Sequence, residues 1–338
     1  MNMKSLWADI QPKGNARASL SGDGETDTYP FSTAGALGMA HQGQFNPLKF
    51  LKGAAQGLNI LPMGNYFEGF YFKHQIRQDT LSIIVGRAAD GAFIQIVTDT
   101  HSYHVPYPLK AYLKGEILTL EDNYFSRHGI RLSIQTEGLN LTGEISYSGI
   151  TPIQGDIMGP FRFLPMQCRH PIVSMNHTLS GKLVLNGREL DFTGGRGYIE
   201  GDAGRSFPKS YTWVQCNAFS GGCSIMASVA HIPFGLWWFW GCICVVSLAG
   251  KEYRLATYRG ATIRHRDERR LLLEQGDFSL SVQLLEPCPG NLLRAPSKGR
   301  MTGHIREAPS CRVLFEFRRK NDILFKEESH FASYEHVV

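Results

Sequence analysis

From residue 65 onward the chain runs in short apolar stretches cut by turn residues. Stretches at 66–76, 81–86, 92–97, 115–119, 130–135 and 139–147 have strand lengths at strand spacing. A second series follows at 211–217, 224–231, 243–248, 253–258, 261–264, 278–285, 301–306 and 313–318. Almost none shows a 3.6-residue period, and helical turns are expected only at 47–55 and 159–164. Residues 181–192 alternate on both sides of Asn186-Gly187, a dipeptide that accommodates positive φ at both central positions of a tight turn, so a hairpin is expected there. About sixteen strands in two groups with hairpin-length connections predict an all-β chain of two antiparallel barrels or sandwiches. Residues 1–30 read as an arm, 31–205 as the first barrel and 206–338 as the second. The break falls at the Gly/Pro bend of 204–208.

Composition narrows this picture. Of 338 residues, 43% are hydrophobic and 19% charged, which excludes a disordered chain. The net charge of +5 is small, and the basic run Arg264-His265-Arg266 reads as a solvated strand edge with no partnering nucleic acid. Seven cysteines, an odd number, and no secretory start predict a reducing cytoplasm without disulfides. Residues 210–250 contain no Asp, Glu, Lys or Arg. Their glycines, Pro233 and β-branched residues favour buried strands over a membrane span. Cys242-Ile243-Cys244 reads as core packing without a metal. Motifs for NTPases, zincins, α/β hydrolases and dinucleotide enzymes are absent.

The stretch most suited to chemistry is 197–219. As a strand it places Tyr198, Glu200 and Asp202 on one face, with the two carboxylates about 7 Å apart. Such carboxylates repel, and in a cavity one of them should keep its proton at neutral pH. Beyond the bend, Tyr211, Trp213, Gln215 and Asn217 share a face. This face reads equally as a pocket wall or as a polar belt at a barrel mouth.

The same stretch resembles the signature of the tocopherol cyclase family, Tyr-x-Glu-Lys-Asn/Asp-Trp-Gly-x-x-Phe-Pro-x-x-Trp-x-Trp-x-Gln-x-Asn. Tyr198, Glu200, Asp202, Gly204, Phe207, Pro208, Trp213, Gln215 and Asn217 match it. Residues Phe67-Glu68-Gly69-Phe70-Tyr71-Phe72-Lys73 and Leu293-Arg294-Ala295-Pro296 resemble two further elements of the family. Gly201, Ala203, Tyr211 and Phe70 depart from it, the last three where the family carries Trp. The resemblance implies two tandem lipocalin-like antiparallel β-barrels, an apolar isoprenoid-sized ligand and no cofactor. It also implies a cyclase or isomerase that protonates an alkene by general-acid catalysis. Glu200 and Asp202 are then the catalytic acids. Tyr198, Tyr211, Trp213, Gln215, Asn217, Glu68, Tyr71 and His177 are the substrate-binding candidates. The alternative is a carrier that binds a lipophilic molecule without changing it. The cluster Trp237-Trp238-Phe239-Trp240 adds the expectation of weak contact with a membrane surface.

Overall fold

The computed structural model describes residues 65–338 apart from 78, 235 and 236. The expected arm at 1–30, the helical turn at 47–55 and the start of the first barrel at 31–64 lie outside the described residues. Strands are the regular structure of the described chain, joined by turns, loops and three single 3-10 turns. One of these, Gly159–Phe163, falls where a helical turn was expected. At the expected hairpin, Ile172–Leu185 turns into Arg188–Asp191 through Asn186 and Gly187, whose φ values of 51° and 84° are the left-handed pair such a turn requires.

Two antiparallel sheets are present. In spatial order the main path of the first is Ser102–Tyr107, Gly91–Thr98, Asp79–Ala88, Phe67–Ile76, Arg196–Gly204, Ile172–Leu185, Leu139–Ser148, Gly129–Thr136, Asn123–Ser126, Leu118–Leu120 and Tyr112–Lys114. In the second it is Lys251–Ala256, Trp237–Leu248, Ser224–Phe234, Tyr211–Cys216, Asp322–Val337, Arg300–Arg319, Phe278–Leu284, Arg270–Gln275 and Thr262–Arg266. Both follow one plan: the last main-path strand returns to pair with the first. The two free edges are then consecutive strands joined by a 3-10 turn, Leu109–Ala111 in one sheet and Thr257–Arg259 in the other. Each sheet therefore curls into a barrel whose hydrogen-bonded path stops one pairing short of closure.

Alternation along the strands fills each barrel. Phe72, Ile83, Ile94, Phe125, Leu132, Leu141 and Ile199 meet in the first, and Val214, Ile225, Cys244, Leu273, Val282 and Phe315 in the second. Each such side chain stabilises the fold by about 1.5–3 kcal/mol through burial. Cys242 and Cys244 belong to the second core and are free thiols.

A third apolar cluster lies between the barrels. Tyr71 and Tyr198 reach it from the outer face of the first sheet, and Tyr211, Trp213, Met226 and Val245 from that of the second. The connection leading to Cys168 adds Ile157, Met158, Phe161 and Leu164. It is fastened to the second barrel where Arg254 donates to the Gln154 and Asp156 carbonyls and Tyr258 to that of Ile157. The hairpin of Asn291–Ser297 and Arg300–Arg319 crosses in the other direction. Gln95 donates to the Arg294 carbonyl and Asn291 to that of Thr98. Its turn needs Gly299: φ is 77°, and a Cβ would stand 2.2 Å from the Asn65 backbone. All described residues belong to one compact unit.

Candidate active site

A cavity of about 160 Å³ opens in this seam. It is not the interior of either barrel, since both interiors are filled with side chains. Phe67, Gly69, Tyr71, Glu200 and Asp202 line it from the first sheet, and Tyr211, Trp213, Glu307 and Glu335 from the second. The connection supplies Met158, Phe161, Met166 and His170, and the crossing hairpin supplies Leu293, Arg294 and Pro296. Tyr71 and Trp213 meet edge to face with centroids 5.6 Å apart.

The strand Arg196–Gly204 turns Ile199 inward and Tyr198, Glu200 and Asp202 outward into the seam, as alternation requires. The repulsion expected between the two carboxylates is relieved by a residue absent from the sequence-based reading. His170 stands between them, with Nδ1 2.9 Å from Asp202 Oδ1 and Nε2 2.9 Å from Glu200 Oε2. The first contact has hydrogen-bond alignment; the second is an ion pair without it. Burial opposes a charge on His170, but Glu200 and Asp202 outweigh it and hold the imidazolium well above the usual histidine range. Tyr198 donates to Glu200 Oε2 at 2.5 Å and the Cys168 thiol to Asp202 Oδ1 at 3.3 Å. The position of His170 follows from pairing: Cys168 and Arg169 lie opposite Gly204 and Ala203, and the Pro171 carbonyl accepts from the Gly201 N–H.

Across the cavity are two more carboxyl groups that sequence reasoning did not single out. Glu307 accepts from the Tyr71 hydroxyl at 2.8 Å and Glu335 from that of Tyr211 at 2.6 Å, and the two carboxyls stand on adjacent strands beside the paired Ala308 and Tyr334. Burial raises Glu307 to about 7 against the pull of Tyr71 and Lys73. Burial and the charges of Glu307, Glu200 and Asp202 raise Glu335 well above the carboxylate range. Tyr71 and Tyr211, pushed up by burial and by these acids, remain O–H donors.

Of the candidate residues, the structure brings Glu200, Asp202, Tyr71, Tyr211 and Trp213 to the cavity wall and Tyr198 directly behind it. Four others are placed elsewhere. Gln215 faces the seam beyond the cavity and accepts from Lys73 Nζ at 3.2 Å. Asn217 ties the barrels together by donating to the Gly197 carbonyl and to Asn176 Oδ1. Alternation turns Glu68 to the opposite face from Tyr71, where Arg87 and Lys114 pair with it and outweigh burial to lower its pKa. His177 lies inside the first barrel with Tyr147, its ring against Gly197.

The sequence model of one protein family, described as "Tocopherol cyclase-like", matches residues 144–336. That span is more than half of the chain. The chain belongs to the tocopherol cyclase-like family. No curated protein matches it. Among solved structures it is similar to a protein described as AttH from Nitrosomonas europaea, with 13% identity, TM-score 0.49 and coverage of 81% of this chain and 92% of that one. It is also similar to kievitone hydratase from Nectria haematococca, with 12% identity, TM-score 0.47 and coverage of 80% and 88%.

In this tocopherol cyclase-like chain the matched region carries Glu200, Asp202, His170, Glu307 and Glu335 together, while Tyr71 comes from outside it. Among the described residues, His170, Glu200 and Asp202 also offer ligand atoms within 4.8 Å of one another, a spacing that a metal ion could bridge. In the arrangement present both imidazole nitrogens face carboxylates. Gly241, Ile232 and Pro233 bring the hairpin Ser224–Phe234 and Trp237–Leu248 to the cavity wall. Trp237 and Trp238 on the same hairpin are 80% and 63% exposed. Phe239 packs on Phe161, whereas Trp238 and Trp240 flank His231 and Arg266 covers Trp240. Among the described residues no helix is long and apolar enough to cross a membrane.

Proposed function

We propose that the protein is a cofactor-independent cyclase or isomerase acting on an apolar prenylated or polyketide-like molecule. The observation that carries this reading is the cavity itself, an aromatic and aliphatic chamber with carboxyl groups built into opposite walls. Protonation of a trisubstituted alkene yields a tertiary cation, which a neighbouring hydroxyl oxygen then captures. The chemistry needs a proton source, aromatic faces to stabilise the cation and exclusion of bulk water. Trp213, Tyr71 and Tyr211 supply the faces. Glu200 and Asp202, with His170 between them, exchange protons with the substrate. The ligand enters past the exposed Trp237 and Trp238, whose rings suit brief contact with a lipid surface.

The test begins with mass spectrometry of lipid extracted with the purified protein, followed by incubation of each extracted compound with fresh protein. Conversion of one of them is expected, and Glu200→Gln or Asp202→Asn should slow it by about 10²–10⁴-fold while leaving ligand uptake intact. A protein that returns every bound compound unchanged is a carrier, and the enzyme reading then falls.

A further inference from the structure

Glu307 and Glu335 stand on adjacent strands, where Ala308 pairs with Tyr334, and both reach the cavity with only 1% and 9% of their surface exposed. Two buried carboxyl groups placed side by side resist ionising together unless a cation joins them, so in the free protein the pair stores a proton. The surrounding groups decide which member holds it. Around Glu307 are the Tyr71 hydroxyl and the Lys73 ammonium from the first sheet, with Glu200 further off. Around Glu335 are the Tyr211 hydroxyl and three acids, Glu307, Glu200 and Asp202. The cation favours charge on Glu307 and the acids disfavour it on Glu335. His170, by contrast, has each nitrogen against a carboxylate and releases its proton poorly.

On the reading of the site as a cyclase or isomerase, we infer that Glu335, beside Glu307 on the adjacent strand, is the proton donor, and that the facing Glu200, His170 and Asp202 group is the acceptor. The Glu335 proton bonds to one alkene carbon using the π pair, which leaves a tertiary cation beside two carboxylates. A hydroxyl lone pair closes the C–O bond, and the displaced O–H proton passes to Asp202. The net change is addition of O–H across C=C. Asp202, whose side chain is 25% exposed, gives its proton to solvent, and Glu335 regains one.

Infrared spectroscopy of the full chain at pH 8.5, where Glu307 is ionised, tests the donor without a substrate. A protonated-carboxyl C=O band is expected in the free protein. Glu335→Gln should remove it, Asp202→Asn should leave it, and Tyr211→Phe, which withdraws one hydrogen bond, should shift it. As a second readout, N,N-dimethylgeranylamine, a tertiary ammonium shaped like the cation, should bind about tenfold more tightly than its hydrocarbon counterpart, a gap of about 1.4 kcal/mol. That preference should shrink in Glu335→Gln, where the Glu307 carboxylate alone remains to pair with the ammonium. Absence of the band, its survival in Glu335→Gln, an unshifted band in Tyr211→Phe or an unchanged ammonium preference overturns the assignment. Turnover that is lost in Asp202→Asn but retained in Glu335→Gln overturns the donor alone. A correct infrared pattern in a protein that never converts its ligand overturns the cyclase reading and leaves the stored proton in place.

Discussion

Replacing His170 with glutamine removes the cation between two carboxylates and leaves them facing each other inside the seam. Each lies 2.9 Å from the ring. Breaking a buried pair by removing one partner costs about 3–5 kcal/mol, and the partial exposure of Asp202 argues for the lower end, about 3 kcal/mol. At roughly 2 °C per kcal/mol for a chain of this size, the melting temperature should fall by about 6 °C. Adding Asp202→Asn removes half of the uncovered charge, so the double variant should recover most of the loss. The pH dependence has a definite sign. The pKa of His170 is raised in the folded state above its ordinary value of 6.5, so its contribution is complete below pH 6.5 and is lost as pH rises through the folded value. Urea unfolding followed by circular dichroism at pH 6 and in alkaline buffer measures both effects. A loss below about 1 kcal/mol at pH 6, or a gap between wild type and variant that does not narrow at high pH, refutes the ion-pair account.

The first barrel contains two buried histidines that resist protonation. Burial lowers His74 to about 3 and His177 to about 4, so as pH falls below 6.5 the unfolded chain takes up two protons that the native state refuses. Each such group steepens the fall in stability by up to about 1.4 kcal/mol per pH unit near pH 5, so His74→Gln should flatten the slope there by about that amount in urea titrations; an unchanged slope removes His74 from the account. Gly69 faces the cavity with room for a Cβ, its nearest neighbours lying at 3.7 Å or more. Gly69→Val should therefore fold normally and abolish uptake of an apolar fluorescent dye, and full uptake would place the ligand elsewhere. Trp237→Ser with Trp238→Ser should reduce liposome flotation at low salt. Equal flotation of variant and wild type would remove the membrane role of the tip.

What could be read from the sequence depended on how far the information was local. The Asn186-Gly187 hairpin needs only its own dipeptide, and alternation alone put Tyr198, Glu200 and Asp202 on one face. Alternation could not say whether that face looked into a barrel or out of it, which is why Glu68 and His177 were grouped with Tyr71 although they point the other way. Arg300–Arg319 reads as two shorter runs because Pro309 and register shifts around Ala308 and Cys311 interrupt it. Charges at Lys326, Glu327 and Glu328 hide the alternation of Asp322–Val337. Glu307 and Glu335 were lost with those strands. His170 precedes a proline outside any long strand, and only the pairing of Cys168 and Arg169 with the strand Arg196–Gly204 brings it between the acids.

In both barrels the last main-path strand pairs with the first, and these four strands face one another across the seam. During synthesis Tyr71 therefore emerges long before its partner Glu307, and Tyr211 long before Glu335. Neither barrel can complete its pairing until its final strand arrives, and contacts spanning such sequence distances form slowly. The early strands Phe67–Ile76 and Tyr211–Cys216 wait with an unpaired edge, the condition under which β-proteins aggregate. The acid-lined chamber thus cannot be complete before Asp322–Val337 is in place, and a chain stalled before that strand would carry an open second barrel and no Glu335 in the site.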